Sequence, residues 1–92
     1  MGITFEWDGK KARANLRKHG VSFEEASTAL GDPLSMTISD PVHSLLEDRY
    51  VTLGLSSRGR LLVVVLTERA DRIRIMSART ASRRERRTYE ES

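Results

Sequence analysis

The feature that most constrains the fold is a run of six apolar residues, LLVVVL, from Leu61 to Leu66. Polar residues bound this run, with Arg60 before it and Thr67 after it. A short apolar run without alternation is typical of a strand that is buried on both faces, because a surface helix needs polar positions at regular spacing. We therefore predict that this segment is the central strand of a sheet.

Alternating segments on both sides of the run predict further strands. The sequence RIRI from Arg72 to Ile75 places its isoleucines toward the core and its arginines on the opposite face. Only a short link at residues 70–71 separates this segment from the central strand, which predicts a hairpin. Three more strands are predicted upstream, at residues 3–7, 34–39 and 49–55.

Two helices are predicted near the N-terminus. Asp8 can cap a helix over residues 9–18, and Gly20 is suited to the left-handed position that ends a helix. Ser22 and Glu25 have the S-x-x-E spacing of a capping box, in which each side chain binds the other residue's backbone N–H. We therefore expect a second helix to begin at once after the first.

A third helix is predicted at the C-terminus. Ser82 and Glu85 repeat the S-x-x-E spacing, so the helix is expected to run from Arg83 to about Glu90. This segment is dense in arginine and has almost no apolar stripe. The helix is therefore expected to present a cationic surface rather than a core face.

The order of these elements predicts an α+β domain. Two N-terminal helices, a meander of strands and a basic C-terminal helix favour helices that pack on one face of a small antiparallel sheet. At 92 residues the chain has the length of one domain, which we assign to residues 1–92. The longest loop is predicted at residues 40–47, which open with Asp-Pro and fit no periodic pattern.

Composition limits the class of protein. The chain has no cysteine, which excludes disulfides and thiolate metal sites and is compatible with a reducing cytoplasm. The longest apolar run is far shorter than the roughly 20 residues that a membrane-spanning helix needs, and no leader pattern opens the chain. We therefore expect a soluble, cytoplasmic protein that has no contact with a membrane.

Charge is distributed unevenly along the chain. Residues 58–92 contain ten arginines against five acidic residues, whereas residues 21–48 contain six acidic residues and neither Lys nor Arg. Arginine binds phosphate through two parallel hydrogen bonds, whereas lysine offers a point charge. The pattern favours a polyanion as ligand of one face, and a salt-bridged, solvated surface is the alternative.

Four stretches form a specific combination: FEWD at residues 5–8, KHGVSFEEA at 18–26, RLLVVV at 60–65 and SAR at 77–79. They resemble the BrnT family of toxins from type II toxin–antitoxin systems, and the resemblance covers nearly the whole chain. It implies a RelE-like fold and a ribonuclease activity that blocks translation and growth. It also implies neutralisation by a BrnA-like ribbon-helix-helix antitoxin, with operator DNA bound only through the toxin–antitoxin complex.

Cleavage of RNA without a metal requires stabilisation of negative charge on the phosphate in the transition state, which suits arginine. Arg79 closes a predicted core strand just before a helix, and Arg83 and Arg84 lie in the first turn of that helix. We predict that Arg79 with Arg83 or Arg84 holds the scissile phosphate, and that Arg69 contributes from the hairpin turn. The alternative is that these arginines form surface ion pairs with Glu68, Glu85 and Glu90.

The same reaction needs a base for the 2′-hydroxyl and an acid for the leaving 5′-oxygen. His19 is a candidate because histidine titrates near neutral pH, although a histidine that merely ends a helix is equally compatible. Glu68 can act as a base or form a salt bridge. Tyr89 can donate a proton, stack on a base or only dock its helix onto the sheet. His43 falls in the predicted loop and receives no role.

Arg84 and three further basic residues are predicted to contact nucleic acid: Lys18, Arg74 and Arg87. The carboxylates are scattered and no histidine pair has ligand spacing, so we predict neither a metal site nor a cofactor. The leading hypothesis is therefore a metal-independent endoribonuclease. The alternative is a non-catalytic module that binds nucleic acid or docks an antitoxin through its basic face.

Overall fold

A computed structural model describes residues 3–40 and 48–92 of the chain. Its elements, in chain order, are β1 Thr4–Glu6, α1 Gly9–His19, α2 Phe23–Ala29, β2 Met36–Ser39, β3 Asp48–Leu55, β4 Leu61–Arg69, β5 Arg72–Thr80 and α3 Arg83–Glu91. All predicted helices and strands are present, with ends shifted by a few residues. Residues 41–47 of the predicted loop, among them His43, lie outside the described residues.

The sheet has five strands in the order β1-β5-β4-β3-β2, so the apolar run forms its centre as predicted. The strands β2 to β5 are antiparallel neighbours, and β4 and β5 form the predicted hairpin. The prediction of a wholly antiparallel sheet is wrong, because β1 pairs with Arg72–Arg74 of β5 in parallel. A tight turn forces adjacent strands to be antiparallel, but β1 and β5 are separated by most of the chain, and no local signal sets their direction.

One face of the sheet packs against α1 and α2, and we call it the helix face. Alternate residues of β4, Leu62, Val64 and Leu66, point to this face and form one buried cluster with Phe23 and Ala26 of α2. Burial of such side chains contributes about 1.5–3 kcal/mol each, so this interface supplies most of the apolar stabilisation. The remaining side of the sheet, to which Val63 and Val65 point, is called the open face.

The helix α3 lies along the open face, where Glu85 and Thr88 line a hollow together with Val63 and Leu53. The prediction that all helices pack on one face is therefore wrong for α3. No residue of α3 is buried, so this helix has no apolar stripe to place in the core that α1 and α2 already fill. Its N-terminal capping box at Ser82 and Glu85 forms as predicted.

The predicted capping box of α2 forms only by half. The Ser22 hydroxyl accepts the N–H of Glu25 at 3.0 Å, but the Glu25 carboxylate does not return to Ser22. It accepts hydrogen bonds from the Ser56 hydroxyl at 2.7 Å and from Arg60 Nε at 2.9 Å instead. These bonds to Arg60 and Ser56 hold the pKa of the buried Glu25 below its usual value. Glu25 therefore connects the start of α2 to the β3–β4 turn.

A buried asparagine connects α1 to β5. The Asn15 side-chain amide donates to the carbonyls of Val21 at 2.9 Å and Ala78 at 2.8 Å. Its carbonyl oxygen accepts the N–H of Ala78 at 3.1 Å. The side chain is 7% exposed, so water cannot replace these bonds. Asn15 therefore fixes the end of β5, one residue before Arg79, against the helix layer.

Replacing Asn15 with alanine tests this connection. The change leaves three buried backbone groups without partners, so we expect Asn15→Ala to lower the free energy of unfolding by about 3 kcal/mol. Urea denaturation followed by circular dichroism measures the loss. Arg13→Ala on the exposed side of α1 is the matched control, with an expected change within about 0.5 kcal/mol. Equal stability of the two variants would contradict the assigned role of Asn15.

Candidate nucleic-acid interface

Arginines cluster on the open face. Alternation in β4 and β5, combined with a register shift at Met76 of β5, directs four of them to this face: Arg69, Arg72, Arg74 and Arg79. Four more belong to α3, which runs along the same face: Arg83, Arg84, Arg86 and Arg87. A surface this rich in guanidinium groups has the charge that attracts a polyanion.

Arg79 is oriented by a carboxylate from α3. Its Nη1 and Nη2 donate to Oε1 and Oε2 of Glu85, each at 2.8 Å, and Nη1 also donates to the carbonyl of Thr80 at 3.3 Å. Arg79 remains 45% exposed, so the guanidinium is held in place yet is open to solvent. The bond from Arg79 lowers the pKa of Glu85 to about 2. Glu85 is therefore an anion throughout the neutral range.

The first turn of α3 lies beside this ion pair, because Glu85 is the third residue of the helix. The Glu85 Oε1 accepts the Ser82 N–H at 2.8 Å, and the Ser82 hydroxyl accepts the Glu85 N–H at 3.2 Å. The cap leaves the N–H groups of Arg83 and Arg84 without a helical acceptor, at the positive end of the helix dipole. Arg79 and this helix start therefore form one cationic position.

The exposed arginines of α3 differ in their partners. Arg86 lies 4.0 Å from Glu90, which is one turn along the helix. Within residues 3–40 and 48–92, Arg83, Arg84 and Arg87 form no ion pair. The alternative that the site arginines form surface ion pairs is therefore realised at Arg79, which pairs with Glu85, and not at Arg83 or Arg84.

Tyr89 anchors α3 to the rest of the fold. Its hydroxyl donates to Asp32 Oδ2 at 2.5 Å, and the backbone N–H groups of Leu55 and Leu34 donate to the same carboxylate. The bond raises the pKa of Tyr89 and, with the two backbone bonds, lowers the pKa of Asp32. Of the three roles predicted for Tyr89, this geometry favours the docking of its helix.

A second cationic position lies at the hairpin end of the open face. Glu6 of β1 accepts from Arg74 Nε at 3.1 Å and from Arg72 Nη1 at 3.5 Å. These three residues line a polar hollow together with Thr67 and Arg69. Both Arg72 and Arg74 are more than half exposed, which leaves part of each guanidinium available to a ligand.

The two positions are too far apart to share a ligand atom. Arg79 pairs with Val63 and Arg74 pairs with Thr67, four residues further along β4, so the two arginines are about 13 Å apart at the rise of a strand. Arg69 lies six residues beyond Val63, the partner of Arg79, so it is about 20 Å from Arg79 on the same scale. Arg69 therefore does not reach a phosphate that Arg79 contacts, and its predicted contribution to that phosphate has no geometric support.

The other predicted residues lie on or beside the helix face. Lys18 and His19 end α1, one turn after Asn15, and Asn15 binds Ala78 beside Arg79. His19 is therefore at the same end of the sheet as Arg79, on the opposite face. Glu68 lines a hollow of the helix face at the hairpin end and is separated from both.

Several residues of the site were missed by the reasoning from sequence. Glu6 and Arg72 belong to the second position, but their contact joins the two ends of the chain and no local pattern reveals it. Asp32 received no role from the sequence, because its bond with Tyr89 is also long-range. The capping-box spacing identified Glu85, but its role in orienting Arg79 depends on where α3 lies.

The described part of the chain contains neither a cluster of metal ligands nor a membrane-spanning helix. In residues 3–40 and 48–92, no three His, Asp or Glu side chains come together as metal ligands would. No helix in these same ranges combines the length and apolar character that crossing a bilayer requires.

Comparison with known proteins shows similarity to one family model and to a solved structure. A family model described as the ribonuclease toxin BrnT of type II toxin–antitoxin systems matches residues 7–85. The chain is also similar to the crystal structure of the Brucella abortus ribonuclease toxin BrnT, with 21% sequence identity and a TM-score of 0.65. That alignment covers 88% of this chain and 99% of the other, and at this identity it shows a shared fold. No curated protein matches the chain.

The pKa of Glu85 predicts how stability depends on pH. Because its folded pKa is about 2 and its ordinary value 4.5, the Glu85–Arg79 pair stabilises the fold fully above pH 4.5 and less as the pH falls toward 2. We expect the melting temperature of Glu85→Gln to be lower than that of the wild type at neutral pH, and this difference to disappear near pH 2. Thermal denaturation of both proteins across this pH range measures the difference.

Glu91→Gln is the matched control for this series, because Glu91 is exposed at the far end of α3. Its melting temperature should stay close to that of the wild type at every pH. If the difference in melting temperature between Glu85→Gln and the wild type is the same at every pH, the carboxylate charge of Glu85 does not stabilise the fold.

Proposed function

The chain belongs to the BrnT family of ribonuclease toxins of type II toxin–antitoxin systems, and from this premise we propose that it is a metal-independent endoribonuclease that cleaves RNA through the 2′-hydroxyl. The observation that carries the proposal is the position of Arg79, which Glu85 fixes at the start of α3. The scissile phosphate lies there in the proposed complex.

Arg79 has donors left for such a phosphate. Glu85 binds the edge of the guanidinium that Nη1 and Nη2 form. The other edge, formed by the N–H of Nε and the second N–H of Nη2, points away from this carboxylate. A guanidinium held by one carboxylate is also preorganised, because its orientation costs little when the ligand arrives. Arg83 or Arg84, with the free N–H groups of their turn, adds further positive charge to the same phosphate.

The proposed reaction is a transfer within the RNA strand. The 2′-oxygen loses its proton and bonds to phosphorus, the bond from phosphorus to the 5′-oxygen breaks, and that oxygen takes up a proton. The products are a 2′,3′-cyclic phosphate and a free 5′-hydroxyl. The positive charge of Arg79 stabilises the charge that builds up on the phosphate oxygens, so the step does not require a metal ion.

The residues at the site differ in their suitability as acid or base. A carboxylate with a pKa of about 2 is a poor proton acceptor at neutral pH, so Glu85 orients Arg79 and does not act as the base. His19 is proposed for proton transfer, and because it lies on the opposite face of the sheet from Arg79, this role requires the RNA to bend around that end of the sheet. Tyr89 is committed to Asp32, and Glu68 lies at the other end.

The remaining basic residues are proposed to bind the flanking RNA. Arg84 and Arg87 lie along α3 next to the cleavage position, and Lys18 lies beside His19. Arg69 and Arg74 contact a phosphate further along the strand, since Arg74 is about 13 Å from Arg79 along the sheet. RNA thus follows the open face from α3 toward the hairpin.

In the cell, the proposed cleavage removes RNA needed for translation and so stops growth. A BrnA-like ribbon-helix-helix antitoxin neutralises the toxin in the cytoplasm, and the complex binds operator DNA through the antitoxin. Membership of a type II system supports this part of the proposal. Helices beside the antiparallel strands β2 to β5 likewise support a RelE-like fold.

One observation favours a second function. Glu85 binds both Nη groups of Arg79, and this ion pair between β5 and α3 holds the helix in place whether or not a ligand is bound. The open face would then bind nucleic acid or an antitoxin without cleaving RNA. The two functions differ in turnover, because a binding module leaves RNA intact at any protein concentration.

Replacing Arg79 separates these functions. We expect the wild-type protein to cleave single-stranded RNA in EDTA and to yield 2′,3′-cyclic phosphate ends. Arg79→Ala should lower the cleavage rate by about 100-fold or more, as loss of a preorganised donor to transition-state charge does in other enzymes. Gel analysis of end-labelled RNA measures both.

Arg13→Ala, an exposed arginine of α1, is the matched control and should cleave at the wild-type rate. Intact RNA after incubation with wild-type protein in EDTA would reject metal-free cleavage. Cleavage by Arg79→Ala at the rate of the control would place the reaction elsewhere.

The flanking contacts predict a change in salt dependence. Each phosphate contact to a single strand contributes about 0.7 to the slope of log affinity against log salt. We therefore expect Arg84→Ala combined with Arg87→Ala to reduce the slope by about 1.4. Arg86→Ala is the matched control, because Arg86 already pairs with Glu90. Fluorescence anisotropy with a short RNA measures the slopes, and equal slopes would exclude these contacts.

A further inference from the structure

The open face contains an apolar groove that RNA cleavage does not use. Five aliphatic side chains of β2, β3 and β4 form its floor, and Glu85 and Thr88 of α3 form one wall. The floor residues are Met36, Ile38, Val51, Leu53 and Val63. The volume of the groove is about 180 Å³, and it is open to solvent. This surface is distinct from the arginines that flank it.

The outer end of the groove is unusually exposed. Ile38 lies on β2, at the edge of the sheet, and is 67% exposed, whereas Val63 at the inner end is 5% exposed. The exposed part of this apolar surface contributes little to the stability of the fold, because it stays in contact with water. Such surfaces mark sites where a protein partner binds.

The chemistry of the groove argues against RNA as its occupant. Unpaired bases bind proteins by stacking on aromatic rings or guanidinium planes, and all five floor side chains are aliphatic. A second copy of the chain is also disfavoured. Two copies joined at this groove would bring two α3 helices together, each with arginines that have no acidic partner among the described residues.

Charge complementarity indicates a different occupant. Arg84 and Arg87 are exposed on the helix that forms the wall of the groove. A segment with apolar residues on one face and carboxylates at its border would fill the floor and pair with these arginines. An amphipathic helix presents such a surface at i, i+3, i+4 and i+7 spacing.

We propose that this groove is the docking site for an acidic amphipathic helix of the antitoxin. The proposal rests on the assignment of the chain to a toxin–antitoxin pair and adds the surface by which the toxin is neutralised. Glu85 belongs both to the wall of the groove and to the ion pair that orients Arg79. A helix in the groove therefore covers the cleavage position and excludes RNA from it.

Ile38→Glu tests the proposal. Ile38 is exposed, so the substitution leaves the fold intact, but it places a carboxylate where an apolar side chain of the partner would bind. The probe is the full-length protein encoded by the adjacent reading frame. We expect its Kd for Ile38→Glu to be about 30-fold or more weaker than for the wild type. Ile38→Thr, which keeps a β-branched side chain, should weaken binding less.

Leu34→Glu is the matched control, because Leu34 is 71% exposed but lies outside the groove. Its Kd should equal that of the wild type. Both variants should cleave RNA as the wild type does. In cells, Ile38→Glu should stay toxic when the adjacent protein is co-expressed, whereas Leu34→Glu should be neutralised.

Three outcomes overturn the proposal: an unchanged Kd for Ile38→Glu, no binding of the adjacent protein to the wild type, or loss of RNA cleavage by Ile38→Glu without partner. The last outcome would make the groove part of the RNA site. Failure of RNA cleavage by the wild type would instead overturn the proposed function. The Kd comparison of Ile38→Glu with Leu34→Glu still decides the docking site in that case.

Discussion

The architecture depends on the buried side chain of Asn15, which joins the two layers of the fold at one place. Its amide satisfies backbone groups of Val21, between α1 and α2, and of Ala78, near the end of β5. Apolar packing is tolerant of small displacements, whereas three hydrogen bonds from one buried side chain fix both distance and direction. Asn15 therefore determines where β5 ends relative to the helices, and with it the position of Arg79.

The other side of the sheet is organised by polar contacts. The helix α3 buries no residue, and two side-chain contacts, Glu85 with Arg79 and Tyr89 with Asp32, hold its two ends. Partly exposed contacts of this kind each contribute modestly to stability, so α3 is expected to open more readily than the core. The stable layer supports the site, and the less stable helix completes it.

Local chemistry made much of this fold predictable. Six consecutive apolar residues identified the central strand β4, and the spacing of Ser82 and Glu85 identified the start of α3. The missed features depend on distant residues. The direction of β1, the face chosen by α3 and the diversion of Glu25 to Arg60 each depend on a partner far along the chain. The separation of Arg69 from Arg79 follows from strand register, which the alternation pattern alone does not give.

Glu85 takes part in three structures at once: it caps α3, orients Arg79 and borders the apolar groove. This overlap restricts how the chain can evolve. A substitution at this position that loosened the grip of an inhibitor would also disorder the arginine and weaken the helix start. If an inhibitor binds in the groove as proposed, substitutions at positions such as Ile38, which line the groove without contacting Arg79, can weaken its binding and leave the arginine in place.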